Sequence, residues 1–254
     1  MKPVLLAGET FTIHSNAVAG FTAFSAGQYV NGATHFLSTA SAAGHVVEQL
    51  PSERCERDFP RSLEELQKYS AVILSDISAL TLLFTPESRA GQVSVNRLVL
   101  LQDYVIAGGS LMMAGGYGSF QGMDGAARYS ETPVEQCLPV TCLPYADGLE
   151  APEGISGIIS DPAHPLALAL PPILPPILGL NRTRLAPRAG VTLVAEAEYR
   201  GAKYPLLAAG EYGQGRSLAL MTDIGPHWMS TAFLASDTYP QLVANMLDWL
   251  TRRI

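Results

Sequence analysis

A histidine and an aspartate four residues apart, His227 and Asp223, are the side chains best suited to acid–base chemistry. They belong to the segment Asp-Ile-Gly-Pro-His-Trp, which follows an apolar run and ends at Trp228. A carboxylate beside an imidazole can orient the ring and stabilise its charged form, as a general base requires. The alternative is a turn with a surface histidine and a buried tryptophan. We predict that Asp223 and His227 are catalytic and that Trp228 contacts a ligand.

A glycine-rich segment at residues 115–122, Gly-Gly-Tyr-Gly-Ser-Phe-Gln-Gly, is a second candidate site. Glycines permit positive φ angles and close backbone approach, and N–H groups there could bind an anion or an oxyanion. The spacing matches neither a Walker loop, nor the dinucleotide-binding fingerprint, nor the Gly-x-Ser-x-Gly elbow. The alternative is a tight strand-to-helix turn without a ligand. The predicted ligand-binding residues are Gly115, Gly116, Tyr117, Phe120 and Gln121, and Ser119 is the candidate nucleophile.

Three further polar residues, Glu9, His14 and Asp76, lie beyond apolar runs and are predicted to bind the ligand. Glu9 and His14 could form a divalent-metal site with Asp223 and His227. Their spacing carries no metal-binding signature, so neither a metal nor another cofactor is predicted. Asp76 could alternatively cap a helix or a turn.

The composition limits the classes of partner. The chain has 254 residues, a formal net charge of −7, 48% hydrophobic residues and 15% charged residues. Its basic residues do not cluster, so nucleic-acid binding is not expected. No apolar run approaches the ~20 residues of a membrane span, and the N-terminus does not resemble a signal peptide. We expect a small-molecule ligand, no nucleic-acid or membrane partner, and an apolar surface that would also suit a homo-oligomer.

Three cysteines, Cys55, Cys137 and Cys142, indicate the redox compartment. They are odd in number and lack the spacing of a metal site. This usage is typical of reduced thiols, and we expect a cytoplasmic protein.

Strand and helix signals alternate along the first half of the chain. The predicted strands there are residues 4–7, 46–50, 71–75 and 110–114; helices are predicted at 32–43, from Ser62, and at 96–107, and a polar loop at 9–21. In the second half we predict a proline-rich loop at 171–176, strands at 191–198, 205–212 and 216–222, and a helix at 239–250. No linker divides the chain, so residues 1–254 are expected to form one domain.

This order predicts an α/β protein with a parallel sheet between layers of helices. Ligands of such sheets bind beyond the carboxyl ends of the strands. Each of the polar segments 9–16, 76–78, 115–122 and 223–228 follows a predicted strand. If those strands are neighbours, the four segments converge on one pocket.

Short motifs spread over nearly the whole chain carry a family resemblance. They are Gly8-Glu9, Phe59-Pro60, Ser62-Leu63-Glu64-Glu65-Leu66, Val72-Ile73-Leu74-Ser75-Asp76-Ile77, Asn96-Arg97-Leu98, Gly115-Gly116-Tyr117, Ser119-Phe120-Gln121-Gly122, Thr132-Pro133-Val134-Glu135, Gly213-Gln214-Gly215-Arg216 and Asp223 with Gly225-Pro226-His227-Trp228. In this order they resemble the bacterial glutamine amidotransferase-like proteins, which are related to the trehalose-utilisation type proteins and, more distantly, to class I glutamine amidotransferases. The resemblance implies a flavodoxin-like three-layer α/β/α sandwich, with a mostly parallel sheet and an antiparallel extension in the C-terminal half.

Class I glutaminases use a cysteine at a sharp turn after a central strand and a His-Glu pair further along the chain. The resemblance places residues 115–122 at that turn, yet no cysteine occurs between Cys55 and Cys137, and Trp228 and Met229 follow His227. A thiolate is the group that attacks the amide carbon in that reaction. Glutamine hydrolysis by the family's usual route is therefore not expected.

We expect instead that the strand ends bind a small polar, anionic or carbohydrate-related ligand, with or without catalysis. The carbohydrate part of this expectation rests on the relationship to the trehalose-utilisation type proteins. One alternative is an amidohydrolase or amidotransferase with another nucleophile, such as Ser119. Another is a non-catalytic scaffold that works as a homo-oligomer.

Overall fold

A nine-stranded sheet dominates the computed structural model, which describes residues 2–254. The strands are β1 Val4–Gly8, β2 Thr10–Ala19, β3 Thr22–Asn31, β4 Val47–Leu50, β5 Ala71–Ser75, β6 Ser110–Ala114, β7 Val140–Cys142, β8 Gly148–Ile159, β9 Ile173–Asn181, β10 Thr183–Leu185, β11 Val191–Tyr199, β12 Ala202–Tyr212 and β13 Gly215–Leu220. The α-helices are α1 Thr34–Ala42, α2 Ser52–Asp58, α3 Leu63–Leu66, α4 Ala79–Leu83, α5 Pro86–Arg89, α6 Arg97–Ile106, α7 Pro133–Cys137, α8 Thr231–Leu234 and α9 Thr238–Leu250.

The large sheet has a parallel half and an antiparallel half. Its order is β4-β1-β5-β6-β13-β12-β11-β8-β9. The first five strands are parallel, and numbered along the chain they run 2-1-3-4-5. The last four pairings are antiparallel. The mixed α/β fold and the antiparallel extension are thus confirmed, and β13 joins the two halves of the chain in one sheet.

Strands β1, β5 and β6 are buried at every residue, as expected for strands covered on both faces. Helix α6 buries Leu98, Leu101 and Val105, which confirms the predicted helical spacing. The hydroxyl oxygen of Ser62 accepts a hydrogen bond from the N–H of Glu65, which confirms the predicted cap of α3. Every helix in residues 2–254 is too short or too polar to cross a lipid bilayer.

The predicted polar loop at residues 9–21 is wrong. Residues 10–19 form β2, which pairs with β3 over ten residue pairs in a separate two-stranded antiparallel ribbon. Alternating side chains such as Phe11 and Ile13 suit a ribbon with two different faces. The many small polar residues between them obscure that alternation in the sequence.

The proline-rich segment is also more regular than predicted. Strand β9 begins at Ile173 and includes Pro175 and Pro176. It pairs with β8, a strand that the sequence pattern did not predict. β9 is the outermost strand of the large sheet. Prolines are tolerated there because an edge strand has unpaired backbone groups on one side.

Gly8 is the last residue of β1 and determines how β1 meets β5. Its φ is +107°, and a Cβ at this position would overlap the carbonyl oxygen of Ser75. Only glycine adopts such a φ without large strain. The close approach of β1 and β5 therefore depends on the missing side chain.

We expect Gly8→Ala to lower the free energy of unfolding by more than about 2 kcal/mol, because backbone strain and steric overlap add. Gly44→Ala is the matched control, since Gly44 has φ +77° but no atom within 4 Å of a Cβ. It should cost about 1 kcal/mol. Chemical denaturation of both variants checks this, and equal losses would contradict the steric explanation.

Candidate functional site

The carboxyl ends of the parallel strands lie along one edge of the sheet. Glu9 directly follows β1 and Asp76 directly follows β5, while residues 115–122 follow β6 and Asp223 lies just beyond β13. The strand order reverses between β1 and β5. In open α/β sheets, ligands bind at such a switch point.

A cavity of about 420 Å³ opens at this edge. It is lined by Glu9, Phe11, Ile13, Val30, Asn31, Gly32, Asp76, Tyr117, Asp223, Pro226 and His227. Five of these are predicted site residues, and they come from all four polar segments that follow predicted strands. The fold therefore brings together residues that are far apart in the sequence.

Glu9 and Asp76 both have left-handed backbone conformations, with φ of 62° and 47°. The carboxylate of Glu9 accepts a hydrogen bond from Ser75 Oγ at 2.5 Å. The carboxylate of Asp76 accepts one from the N–H of Gly118. No described donor lies within hydrogen-bond distance of Glu9 Oε1 or Asp76 Oδ2. Strained backbone at adjacent strand ends is a frequent feature of ligand sites.

Asp223 holds the segment that carries His227. Its Oδ2 accepts hydrogen bonds from the N–H of Trp228 at 2.8 Å and lies 3.0 Å from His227 Nδ1. Its Oδ1 is buried and has no hydrogen-bond partner in the described structure. Such unpaired atoms are rare in protein interiors because each costs free energy. Asp223 lines the cavity, and none of the described residues supplies a donor to its second oxygen.

Burial raises the pKa of each of the three carboxyl groups. Burial, and then the charges of Asp76 and Asp223, raise the pKa of Glu9 well above its ordinary value. Burial and the charge of Asp223 raise the pKa of Asp76 to about 7. Burial also raises the pKa of Asp223, against the opposing hydrogen bond from His227. The hydrogen bond with Asp223 raises the pKa of His227. The cavity therefore holds exchangeable protons near neutral pH.

Three aromatic rings pack together on one wall. The ring centroids of Tyr117 and His227 are 4.8 Å apart, and Trp228 stacks on His227 at 5.6 Å. Glu150 accepts hydrogen bonds from Tyr117 Oη at 2.8 Å and from Trp228 Nε1 at 3.0 Å. Since Trp228 is fully buried, it supports the cavity wall and does not line the cavity.

The glycine-rich turn is held from below by two buried polar side chains. The carboxylate of Asp147 accepts hydrogen bonds from the N–H groups of Gln121 and Gly122, both at 2.9 Å. Asn181 donates to Asp147 at 2.8 Å and accepts from the N–H of Gly116 at 2.9 Å. These contacts fix the turn in one conformation.

Hydrogen bonds within the protein, these included, occupy most of the N–H groups of the turn that could have bound an anion. The N–H of Gly115 donates to the carbonyls of Leu220 and Thr222, and that of Gly118 donates to an aspartate. Within residues 115–122, only the N–H of Tyr117 has no acceptor in the described structure. The turn is thus a rigid wall of the cavity, unlike the anion cradle that its glycines suggested.

The other predicted site residues do not line the cavity. Ser119 is buried, and its Oγ accepts a hydrogen bond from the N–H of Asp76 at 3.0 Å. Phe120 is fully buried, and Gln121 bonds to the backbone of neighbouring loops. His14 lies on the ribbon, exposed, with its ring near Gly27.

Several residues of the site were missed in the sequence. The ribbon supplies the apolar residues Phe11, Ile13 and Val30 to the cavity. Their alternation with polar residues was the available signal. Glu150 and Asp147 lie near the start of the unpredicted strand β8, so nothing local marked them as partners of the turn.

The positions of the potential metal ligands and of the thiols follow from the fold. Within residues 2–254, no group of three or more His, Cys, Asp or Glu side chains is placed to hold a metal ion. All three cysteines are buried, and burial raises the pKa of each thiol, to about 12 for Cys55 and Cys137. None of them lines the cavity.

We expect Asp147→Ala to destabilise the protein by about 3 kcal/mol or more, because it leaves three buried donors unpaired at about 1–3 kcal/mol each. The exposed Asp237, whose side chain caps no N–H of α9, provides the control variant Asp237→Ala. Denaturant unfolding of both proteins measures the difference. A loss below about 1 kcal/mol for Asp147→Ala would show that the turn does not need this carboxylate.

The contribution of Asp76 to the pH dependence of stability should have a negative slope between pH 3.8 and about 7, because folded Asp76 keeps a proton that the unfolded chain releases. Asp76→Asn should flatten this slope, with a difference of more than about 1 kcal/mol across the range, since one pKa unit corresponds to about 1.4 kcal/mol. Unfolding free energies at several pH values provide the measurement, with Asp237→Asn as control. Parallel curves for wild type and Asp76→Asn would contradict the raised pKa.

Solved structures of similar proteins cover the whole chain. The cytoplasmic protein STM3548 from Salmonella typhimurium is 33% identical, with a TM-score of 0.90 over 97% of this chain and 98% of its own. The cytoplasmic protein STM1381 from Salmonella typhimurium LT2 is 30% identical, with a TM-score of 0.91 over 98% and 99%. A ThuA-like protein from Parabacteroides merdae shares the fold at 13% identity, with a TM-score of 0.61 over 98% and 90%.

No functionally curated protein matches the sequence significantly. Residues 3–252 match the family described as "Putative glutamine amidotransferase". The match extends over nearly the whole chain, as the order of the short motifs predicted. This chain therefore belongs to that glutamine amidotransferase-like family.

Proposed function

We propose that this protein binds a small, neutral, hydroxylated ligand of the carbohydrate class in the cavity at the strand ends, and that it does not hydrolyse glutamine through a cysteine. The order 2-1-3-4-5 of the parallel strands supports a flavodoxin-like scaffold, whose ligands bind at the same switch point. The buried, unpaired Oδ1 of Asp223 is the observation that carries the proposal.

The polar groups of the cavity suit hydroxyl groups. Glu9 Oε1, Asp76 Oδ2 and Asp223 Oδ1 have no donor within the described structure, and hydroxyls could supply one to each. Protonated carboxyls can in turn donate to a hydroxyl oxygen. A hydroxyl both donates and accepts, so it fits a cluster whose protonation changes near neutral pH.

The charge of the site disfavours an anionic ligand. Three carboxyl groups surround the cavity, and the turn's N–H groups are mostly used within the protein. An anion would raise the repulsion that already shifts the pKa values of Glu9 and Asp76. The apolar side chains Phe11, Ile13 and Val30 cover the opposite wall and suit the C–H surface of a sugar ring.

His227 and Asp223 are the groups that we propose for acid–base chemistry on such a ligand. The ring is half-exposed at the cavity, and its Nδ1 is oriented by the carboxylate, so Nε2 is the nitrogen able to exchange a proton with a ligand. The bond that this pair could help to cleave depends on the ligand. If the bound ligand is not turned over, the protein is a pseudoenzyme. Ser119 has no part in this proposal, since its hydroxyl is buried against Asp76.

The absence of a thiol supports the negative half of the proposal. The turn after β6, where the family resemblance places the nucleophile, contains Tyr117 and Ser119 but no cysteine. The cysteines elsewhere are buried with raised pKa values, which suppresses the nucleophilic thiolate. A cytoplasmic location, which is stated in the names of the two Salmonella proteins, is proposed for this chain as well.

We expect one or more neutral mono- or disaccharides, trehalose included, to bind the wild-type protein in calorimetric titrations. His227→Ala should weaken binding at least about tenfold, because a hydrogen bond to a chargeable group contributes about 1.5–3 kcal/mol. His35→Ala is the control, since His35 is an exposed residue of α1 outside the cavity. Its affinity should match the wild type.

The proposal fails if sugar phosphates bind and neutral saccharides do not, or if His227→Ala binds as tightly as His35→Ala. Ammonia release from glutamine is the second measurement. Wild type should release none above background. Release that is lost in Ser119→Ala would instead establish an amidohydrolase with a serine nucleophile.

A further inference from the structure

The ribbon formed by β2 and β3 extends beyond the body of the protein. Its ten residue pairs run from Thr10 and Asn31 to Ala19 and Thr22 without a bulge or register shift. At about 3.4 Å per residue it is about 34 Å long. Its base is attached to α2 through hydrogen bonds from Thr10 and Tyr29 to Glu53. Beyond the base, nearly every residue of both strands is exposed.

One face of the ribbon is apolar along most of its length. Strand alternation places Phe11, Ile13, Ala17, Ala19, Phe24, Ala26 and Val30 on this face, together with Ser15, Thr22 and Gln28. The inner part of this apolar face lines the cavity, whereas the outer part, with Phe24 59% exposed, is open to solvent in the described structure. A two-stranded ribbon without such cover is only marginally stable in water.

The ribbon also lacks the devices that keep exposed strands apart. Residues 10–31 contain no Asp, Glu, Lys, Arg or Pro, although 15% of the whole chain is charged. Exposed strands are normally protected by charges, prolines or bulges. The absence of these features from both strands indicates that another molecule covers the ribbon in the functional protein.

The absence of charged residues from the ribbon indicates which partner covers the ribbon. Two copies of a chain with net charge −7 repel each other, and an uncharged contact surface adds no further like-charge repulsion where they meet. The ribbon is such a surface, and it offers no charge by which an unrelated partner would be steered to it. Two-fold symmetry also places identical antiparallel elements against each other, so a uniform, bulge-free ribbon is complementary to its own copy.

We propose that the apolar face of the β2–β3 ribbon packs against a second copy of this chain and forms a two-fold homodimer. In this dimer the ribbon of each subunit contacts the ribbon of the other, and their apolar faces form one continuous interface. Since the inner part of the same face lines the cavity, the partner lies beside the cavity mouth. This inference stands independently of the ligand proposed above.

Sedimentation equilibrium and light scattering of the purified protein test the assembly. Wild type should be a dimer at micromolar concentrations, and Phe24→Lys should weaken the dimer at least about tenfold, because it places a charge in each copy of a desolvated contact. Two controls should remain dimeric: Val18→Lys, 75% exposed on the opposite ribbon face, and Val93→Lys, fully exposed in a distant loop. All three substituted side chains are exposed, so the thermal unfolding of each variant should match that of the wild type.

Oxidative cross-linking locates the contact independently of affinity. A Ser15→Cys variant, at the middle of the apolar face where the two-fold axis crosses the antiparallel ribbons, should form a covalent dimer on mild oxidation, whereas Val93→Cys should not, and the three buried native cysteines give little background. A monomeric wild type overturns the proposal. The proposal is also overturned if Phe24→Lys and Val93→Lys dimerise equally tightly, or if Val18→Lys weakens the dimer and Phe24→Lys does not.

Discussion

The carboxyl group of Asp76 packs against the glycine-rich turn that follows β6, and the shape of the cavity depends on this contact. A Cβ at Gly116 would lie 2.6 Å from Asp76 Cγ, and one at Gly118 would lie 2.9 Å from the Asp76 carbonyl carbon. Only glycines let the ends of β5 and β6 approach this closely. The turn then carries Tyr117 over the cavity, where its ring meets His227. Asp147 and Asn181 hold the turn in place from the other side.

The electrostatics of the cavity follow from the same close packing. Parallel strands of one sheet end with carboxyl groups that burial removes from water, and among the described residues neither a lysine nor an arginine lines the cavity. The groups reduce their mutual repulsion by retaining protons, which raises their pKa values. A site of this kind exchanges protons and hydrogen bonds with a ligand at little electrostatic cost if the ligand is neutral. The hydrogen bond with Asp223 raises the pKa of His227 and adds a second titratable group to the cavity.

The ribbon connects the cavity to the surface that we assign to a second copy. Its base contributes three apolar side chains to the cavity wall, and its outer part continues the same face into solvent. One uncharged segment of the chain thus serves two contacts. A change in the position of the ribbon would alter both the cavity mouth and the subunit contact.

By itself the sequence determined the parallel half of the sheet, the long helices and the four segments that meet at the strand ends. Local sequence patterns predict these features: continuous apolar runs, a capping serine at Ser62 and glycines after strands. It also showed that the turn after β6 lacks a cysteine. Local patterns failed at residues 9–21 and at β8 and β9, where polar residues and prolines concealed strands.

Only the tertiary structure decided which of the candidate site residues meet at the cavity. The sequence could not show that the turn's N–H groups are taken by Asp147 and Asn181, or that Ser119 and Trp228 are buried supports of the wall, because the partners lie many residues away along the chain. It placed Glu9, Asp76 and Asp223 at strand ends, but their shared desolvation arises only when β1, β5 and β13 lie in one sheet. Hydrogen-bond satisfaction and burial are properties of the assembled chain, and they determined which candidates line the cavity.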